Sequence, residues 1–551
     1  MRALPIAVVV VTALVLLPGL DRIGFIDVRE ARDALVAREL LADREILTAR
    51  VGSEALFDKP IAGYVPEVLS RVVLGTTEKD SRELRAWLML LLIIVAGSLG
   101  ARHFGPRAGW MSAGVLATCL GTPLAARADG TQVLATLLGW LAAGAIADTL
   151  LVRPGSGRAS FLLVAAAAIG TTLAAAGPLP ALWPVAAGAL FTALARLPVR
   201  GRLGGFAMGL VLAIAMALPW YAAMSERFGA AFLSQAPFFP YALEPAGPWY
   251  GGPFRTASFL MVGFFPWSAL LPASLAHAAT WWRQIRRPDV LPVQRRPDAF
   301  DPRAGDPVSR EGREENAAHF FVACLIAALV PVACYRSPPL TAVLPALPAA
   351  ALLCGRMLDH LLEDPTRVAA PIGRAIAMLA VLGTVSAVLL ALVAPRIPAN
   401  AAELRLVATV VFVTSWAPFL ANFVGARRVA ALLIALPVAL GTPAVTLRLL
   451  PSMESWVNVR DVAGAMEMAS PRDARLVLLE PAAPSLDYYL ARDLVTADTL
   501  AATLERNRAS DGLAYLAFRP RREIEVSRHA HGILEIVIRT PSLVLARVHP
   551  D

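Results

Sequence analysis

The stretch Asp27-Val-Arg-Glu-Ala-Arg-Asp-Ala-Leu-Val-Ala-Arg-Glu-Leu-Leu41, with Ala55-Leu-Phe-Asp-Lys-Pro60 after it, decides how this chain is organised. It is dense in carboxylates and cations, yet it lies between an apolar N-terminal run and a long array of other apolar runs. Such runs are typical of transmembrane helices. The apolar runs on both sides of this stretch hold its charges beside a bilayer. The stretch therefore predicts a membrane active site, because ionisable groups in such chains usually serve a substrate or an ion.

The composition sets the class of protein. Of 551 residues, 57% are hydrophobic and 17% are charged, whereas about a quarter are charged in soluble domains. The sequence therefore predicts an integral membrane protein. The net charge of +9 comes from short clusters of cations between apolar runs. This pattern is typical of membrane topology and excludes a nucleic-acid partner.

About thirteen apolar runs approach the roughly 20 residues that a helix needs to cross a membrane. They are 3–20, 86–101, 108–126, 131–151, 159–176, 179–195, 203–222, 256–280, 317–334, 340–355, 370–394, 405–424 and 429–449. The first run has a cleaved signal peptide as its alternative interpretation. Because Leu17-Pro-Gly-Leu20 is a poor cleavage site, we interpret this run as the first span.

Alternate loops carry the cations. These cations are Arg102, His103 and Arg107; Arg153 and Arg158; Arg196, Arg200 and Arg202; Arg283, Arg286, Arg287, Arg295 and Arg296; Arg356 and Arg367; Arg427 and Arg428. By the positive-inside rule, this alternation places Arg2 in the cytoplasm. An odd number of spans then places the loops 21–85 and 223–255 and the whole C-terminal region outside.

A change of composition after Pro451 predicts two domains. Residues 1–451 are expected to form the transmembrane domain with its external loops, and residues 452–551 a small external α/β domain. The fold class is thus an α-helical polytopic membrane protein with a small C-terminal α/β domain. The predicted elements of this second domain are the strands Arg475–Leu479, Gly512–Ala517, Ile533–Ile538 and Leu543–Val548 and the helices Val459–Ala469 and Thr499–Asn507.

The opening stretch carries local helix signals. Asp27-x-x-Glu30 has capping-box spacing, so a helix is predicted from Asp27 to about Leu41. Capping alone would also explain Asp27. The apolar face of this helix, with Ala31, Ala34, Leu35 and Leu41, is expected to lie toward the membrane.

Phe57-Asp-Lys-Pro60 predicts a loop that enters the next helix, because proline suits a first helical turn. A helix N-terminus beside Lys59 attracts anions such as phosphate, although an ordinary surface lysine would have the same appearance.

Several motifs together resemble one family. Arg38-Glu-Leu-Leu41 and Phe57-Asp-Lys-Pro-Ile-Ala-Gly-Tyr64 are similar to the first external loop of the bacterial lipid A aminoarabinose transferase family. That family is related to protein O-mannosyltransferases and has the GT-C glycosyltransferase fold. Weaker similarities extend the resemblance over the whole chain in outline. They are Gly177-Pro178, Leu218-Pro-Trp-Tyr221, Gly247-Pro-Trp-Tyr250, Gly263-Phe-Phe-Pro-Trp267 and Leu271-Pro272.

The resemblance implies a reaction and a site. A sugar moves from a polyprenyl-phosphate donor to the hydroxyl of a lipid, glycan or protein acceptor on the outer face of a bacterial inner membrane. The product is a modified lipid A or another cell-envelope glycan. By the same resemblance, Glu30 is the catalytic base or positions it, and Lys59 and Arg32 bind the phosphate. Asp58 binds substrate or a possible divalent metal.

Several positions depart from the family's pattern, three of them near the predicted site. Arg29 stands where the family has an acid, Asp33 where an aromatic residue is usual, and Ala176 where a lysine is common. Asp27 is the predicted replacement for the missing catalytic acid if the backbone shifts by two residues. The departures also leave open a catalytically impaired, lipid-binding or scaffold homologue. A transporter is the third hypothesis, but the spans carry almost no ionisable residues near their centres.

Overall fold

The computed structural model describes most of the chain, and the structural statements below concern only this part. The described residues are 3–25, 28–43, 46–51, 54–151, 158–195, 203–235, 251–278, 310–334, 338–363, 369–454, 460–469, 475–479, 484–490, 495–496, 514–518, 520–529, 534–539 and 543–548. Asp27 and the predicted helix Thr499–Asn507 lie outside them.

Helices make up most of the chain up to Ser452. They are α1 Ala3–Leu16, α2 Val28–Asp43, α3 Val65–Val73, α4 Glu78–Phe104, α5 Pro106–Ala117, α6 Gly121–Ala128, α7 Gly130–Leu151, α8 Arg158–Ala176, α9 Pro178–Leu194, α10 Leu203–Gln235, α11 Gly251–Gly263, α12 Leu271–Ala278, α13 Arg310–Cys334, α14 Leu347–Glu363, α15 Ala369–Val393, α16 Ala401–Phe423, α17 Arg427–Leu433, α18 Leu436–Ala444 and α19 Leu450–Ser452. Short 3₁₀ turns at Ile61–Tyr64 and Leu340–Ala346 precede α3 and α14.

Each predicted apolar run contains helix, and the protein is a multi-pass membrane protein. Within the described ranges, 8 helical segments are long and apolar enough to cross a membrane, or up to 9 if the bent pair Gly251–Gly263 and Trp267–Ala278 is one span. The other predicted runs contain the shorter helices α1, α5 with α6, α8 and α9. The count of thirteen spans therefore stays a prediction.

Small residues let neighbouring spans approach closely, as is typical inside membranes. A side chain at Gly109 in α5 would collide with the α4 backbone at Gly97 and Ala101. Aromatic rings fill the wider centre of the bundle, where Trp140 of α7 is fully buried. Its indole N–H donates to the carbonyl oxygen of Pro345 at 2.9 Å, which ties α7 to the turn before α14.

The C-terminal region forms a small sheet. The strands of this sheet are β3 Arg475–Leu478, β4 Val495–Thr496, β5 Ala514–Phe518, β6 Leu534–Arg539 and β7 Val544–Val548. The helices of the same region are α20 Arg460–Ala469, α21 Pro484–Tyr489 and α22 Glu523–His529. A separate two-stranded hairpin of β1 Arg50–Val51 and β2 Glu54–Ala55 lies earlier in the chain. The order in the sheet is β4-β3-β5-β7-β6, with β3 parallel to β4 and β5 and the pairs β5–β7 and β6–β7 antiparallel.

Alternating residues bury both faces of this sheet. In β5, Tyr515 packs toward α20 and α21, while Leu516 packs toward α22. The four predicted strands are confirmed, since each overlaps an observed strand.

Helix α2 packs against two tyrosines of this C-terminal domain, Tyr488 and Tyr489. We call this pair the tyrosine clasp. Phe25 makes an edge contact with the Tyr488 ring, with the centroids 4.8 Å apart, and its N–H donates to the Tyr489 hydroxyl at 2.8 Å. Ala31 and Ala34 are buried in the same cluster. The expectation that they face the membrane is wrong, because the folded C-terminal domain covers them.

The end of α10 approaches the same region. Trp220 donates its indole N–H to the carbonyl oxygen of Leu47 at 2.9 Å, and Arg227 donates to the Thr48 hydroxyl at 2.9 Å. The first loop, the end of α10 and the C-terminal domain therefore meet at one end of the bundle. Arg102 pairs with Asp148 at 2.9 Å at the other end of α4. Which end faces the cytoplasm stays a prediction.

Candidate active site

A cavity of about 290 Å³ opens at the end of the bundle where α2 lies. One wall is polar and comes from α2, the loop before the turn Ile61–Tyr64 and the start of α7. The other is apolar and comes from α9, α13 and the turn before α14. The polar wall consists of Arg29, Arg32, Asp33, Asp58, Lys59, Asp129, Thr131 and Gln132, and the apolar wall includes Leu179, Pro180, Trp183, Ala328, Pro331, Val332 and Ala342.

Lys59 is held in the cavity wall by three oxygens. Its ammonium donates to Asp33 Oδ1 and Oδ2, both at 2.7 Å, and to Thr131 Oγ1 at 2.9 Å. It also lies 4.2 Å from the centroid of the Tyr64 ring. Lys59 is thus fixed in position and turned toward the cavity, where an anion would meet it.

Gly63 makes this placement possible. Added to this residue, a Cβ would collide with the carbonyl oxygen of Ala175 and would lie 3.2 Å from both Lys59 Cδ and the Thr131 methyl group. The Gly63 carbonyl oxygen also accepts a hydrogen bond from the Thr131 hydroxyl at 2.8 Å. The absence of a side chain at Gly63 therefore lets the loop that carries Lys59 pack closely against α7 and α8.

Arg32 and Asp58 form a looser pair beside Lys59. Arg32 Nη1 lies 3.8 Å from Asp58 Oδ2, and both side chains are about a third or more exposed, at 33% and 41%. Tyr64 donates its hydroxyl to Asp58 Oδ1 at 2.8 Å. Burial, together with Asp58 and Asp33, raises the pKa of Tyr64 well above its ordinary value, so the phenol stays a neutral donor.

The start of α7 contributes residues that the sequence interpretation did not identify. Asp129 lies 4.0 Å from Arg29 Nη1, and its Oδ1 accepts the Gln132 backbone N–H at 2.9 Å. With Thr131, they complete the polar wall beside α2. The available signal was the short polar stretch Arg127-Ala-Asp-Gly-Thr-Gln132 between two apolar runs.

Glu30 lies beneath the polar wall and is not among the residues that line the cavity. Its side chain is 2% exposed. It accepts hydrogen bonds from Arg82 Nε at 2.9 Å, Arg82 Nη2 at 3.0 Å and Arg85 Nη1 at 2.9 Å. Arg85 also donates to Glu67 at 2.8 Å. The structure therefore places Glu30 in a buried ionic network that fixes α2 on α4.

The electrostatics of the cavity single out Asp33. Burial raises the pKa of the Asp33 carboxyl to about 6, against the opposing effect of Lys59, and the nearby carboxylates Asp58 and Asp129 add to the rise. The carboxyl group therefore changes charge close to neutral pH. A group of this kind is suited to accept a proton from a weakly acidic hydroxyl.

The carboxylates fit the cations around them better than they fit a metal ion. Asp33 accepts from Lys59, Asp58 lies near Arg32, and Asp129 lies near Arg29. Among the described residues, no group of three or more His, Cys, Asp or Glu side chains is arranged to hold a metal. The predicted metal role of Asp58 therefore has no support in this geometry, and we derive no step through a metal.

Two solved structures share this fold along nearly the whole chain. ArnT from Cupriavidus metallidurans in the apo state has a TM-score of 0.75 and 17% sequence identity, with 99% of this chain and 98% of that chain covered. The same protein bound to undecaprenyl phosphate has a TM-score of 0.78 at the same 17% identity, with the same 99% and 98% coverage. No family model matches, and no curated protein matches. The GT-C fold predicted from the motifs is confirmed.

Proposed function

We propose that this chain is an integral membrane glycosyltransferase, which moves a sugar from a polyprenyl-phosphate donor to an acceptor hydroxyl of a lipid, glycan or protein. The observation that carries the proposal is the divided lining of the cavity. Arg29, Arg32 and Lys59 stand on one wall and apolar side chains such as Trp183 and Val332 on the other. A lipid-linked phosphate needs both, because its headgroup is an anion and its chain is apolar.

The shared fold supports the same class of donor. A protein of this fold is bound to undecaprenyl phosphate in one of the two solved structures. We place the cavity on the outer face of a bacterial inner membrane, because Arg102 and Arg107, which belong to one of the cation-rich loops, lie at the opposite end of α4.

Each polar side chain then has a proposed role. Lys59 and Arg32 bind the donor phosphate, and Asp58 binds a substrate hydroxyl. Glu30 holds α2 in place through Arg82 and Arg85, which makes it a positioning residue and not the base. A predicted role for Asp27 as second carboxylate stays a proposal.

The reaction is a displacement at the anomeric carbon. The acceptor oxygen forms a bond to this carbon while its proton passes to a carboxylate of the cavity. The bond from the same carbon to the phosphate oxygen breaks, and its electron pair stays on the phosphate. Lys59 and Arg32 stabilise the negative charge that grows there. A single displacement inverts the anomeric centre.

A transfer assay with the purified chain in lipid tests this function. Labelled polyprenyl-phosphate sugars are offered with extracted envelope lipids, glycans and proteins, and transfer to an acceptor is followed by chromatography. We expect the wild type to consume at least one donor and the Lys59→Ala variant to consume it far more slowly. If the wild type binds polyprenyl phosphate but transfers no sugar to any acceptor, the lipid-binding homologue is the better description.

A further inference from the structure

Asp33 and Lys59 form a tight pair at a place where the proposed donor phosphate needs a cation. Both oxygens of Asp33 accept from the same ammonium at 2.7 Å. The two side chains retain 14% and 13% exposure, because the pair borders the cavity. A phosphate that enters the cavity therefore competes with Asp33 for Lys59.

The surroundings of Lys59 allow this exchange of partners. Thr131 accepts one of the three ammonium protons at 2.9 Å and is itself anchored to Gly63 at 2.8 Å. The Tyr64 ring lies 4.2 Å from the ammonium on another side. The nitrogen therefore stays in place when Asp33 is replaced, and the two remaining N–H groups are free to donate to phosphate oxygens.

We propose that Asp33 is the carboxylate that takes the acceptor's proton, and that the donor phosphate releases it for this task by taking over Lys59. This inference rests on the proposed transferase function and names the catalytic residue of that same cavity. It also accounts for Arg29. Asp33 lies four residues after Arg29, hence on the same face of α2, and both line the cavity. The acid is displaced by one helical turn.

The exchange changes the proton affinity of Asp33 in the required direction. With Lys59 bound to phosphate, Asp33 loses an opposite charge and gains a negative neighbour, and both changes favour its protonated form. The acceptor O–H bond then breaks with its proton on Asp33, and the acceptor oxygen bonds to the anomeric carbon. The electron pair of the broken carbon–oxygen bond remains on the phosphate that Lys59 holds. The donor must bind before the acceptor hydroxyl is activated.

Binding of undecaprenyl phosphate to the full chain in lipid nanodiscs tests the exchange, with tryptophan fluorescence as the readout because Trp183 lines the cavity. We expect Asp33→Asn to bind this lipid about tenfold more tightly than the wild type, since one charged hydrogen-bonded pair no longer competes. The same variant is expected to transfer sugar about a hundredfold more slowly, within the range for a lost general base. A purely structural role for Asp33 would weaken both properties together.

Asp129→Asn is the matched control, because it removes the same charge from the same cavity without touching Lys59. We expect it to tighten binding no more than about twofold, as a long-range charge effect. The inference is overturned if Asp33→Asn binds the lipid no more tightly than the wild type, or if Asp129→Asn tightens binding equally. Failure of the proposed function has a different signature: the wild type would then transfer no sugar to any acceptor, or would bind undecaprenyl phosphate no more tightly than Lys59→Ala does.

Discussion

Glu30 and Asp33 lie three residues apart on α2, and both are carboxylates bonded to cations, yet their surroundings differ. Glu30 is 2% exposed and accepts from two arginines. One of these, Arg82, also donates to the carbonyl oxygens of Leu20, Ile23 and Gly24. Asp33 forms an ion pair with Lys59 and borders a cavity. The first carboxylate belongs to a closed network, and the second belongs to a pair that a ligand can open.

This difference distinguishes a stabilising carboxylate, Glu30, from the carboxylate proposed to be catalytic, Asp33, on one helix. A buried carboxylate whose cations are shared with many other acceptors cannot lose a partner without leaving charges unpaired. A carboxylate at a cavity edge loses its partner to a ligand at a lower cost, because it can take up a proton there. Substitutions of these two carboxylates are therefore expected to change different properties.

The largest effect is expected from Glu30→Gln. This change leaves the guanidinium groups of Arg82 and Arg85 without their shared counter-charge, and breaking a buried pair of this kind costs about 3–5 kcal/mol. Thermal unfolding of the purified protein in detergent measures it. The matched control is Glu83→Gln on α4, whose pair with Lys79 is exposed and 4.0 Å long, with an expected cost of about 0–1 kcal/mol. Equal unfolding temperatures for the two variants would contradict the closed network.

Lys59→Ala is expected to have a large effect on rate and a small one on unfolding. Loss of a cation at a developing negative charge lowers the transfer rate by about 10²–10³, or about 2.7–4 kcal/mol of barrier. Transfer assays and thermal unfolding on the same preparation separate the two effects. Lys79→Ala on the exposed part of α4 serves as control and should change neither. If Lys59→Ala lowered the free energy of unfolding as much as Glu30→Gln does, the main role of Lys59 would be structural.

Gly63→Ala tests how closely the loop that carries Lys59 must approach α7 and α8. The added methyl group meets the Ala175 carbonyl oxygen and crowds Lys59 and Thr131, and overpacking of this kind costs about 1–3 kcal/mol. We expect weaker binding of polyprenyl phosphate as well, because Lys59 is pushed from its place. Gly464→Ala in α20, where nothing lies within 4 Å of the added group, is the control. Unchanged binding in Gly63→Ala would show that the approach is not needed.

The smallest effect concerns pH. With the pKa of Asp33 raised to about 6 by burial, the proton-accepting form is present above that value and is lost below it. The transfer rate at subsaturating donor is expected to fall about tenfold from pH 7 to about pH 5, which corresponds to one unit below the pKa. The residual rate of Asp33→Asn should lack this acid limb. An acid limb of the same position in that variant would assign it to another group.

Much of the fold follows from the sequence, because long apolar runs and alternating strands are local signals. The apolar runs 86–101, 131–151 and 405–424 predict α4, α7 and α16, and the strand-like runs 512–517 and 543–548 predict β5 and β7. Within the site, the motif from Phe57 to Tyr64 predicts Asp58 and Lys59 as site residues, and the structure places both on the cavity wall.

The partners of Glu30 were not predictable in the same way. Arg82 and Arg85 lie 52 and 55 residues further along the chain, and only the packing of α4 under α2 brings them near. The cavity role of Asp33 had the same obstacle, because helical spacing shows that Arg29 and Asp33 share a face but not what that face meets. Long-range packing decides such questions, and local pattern contains little information about it.

The tyrosine clasp has a consequence for how the protein is made. Phe25 bonds to Tyr489, 464 residues later in the chain, and Tyr489 also donates to Glu78 at the start of α4. During synthesis α2 emerges long before these tyrosines exist. Helix α2 therefore completes its buried face only when the C-terminal domain has folded. Chains that stall before that point lack the contacts that bury Phe25, Ala31 and Ala34.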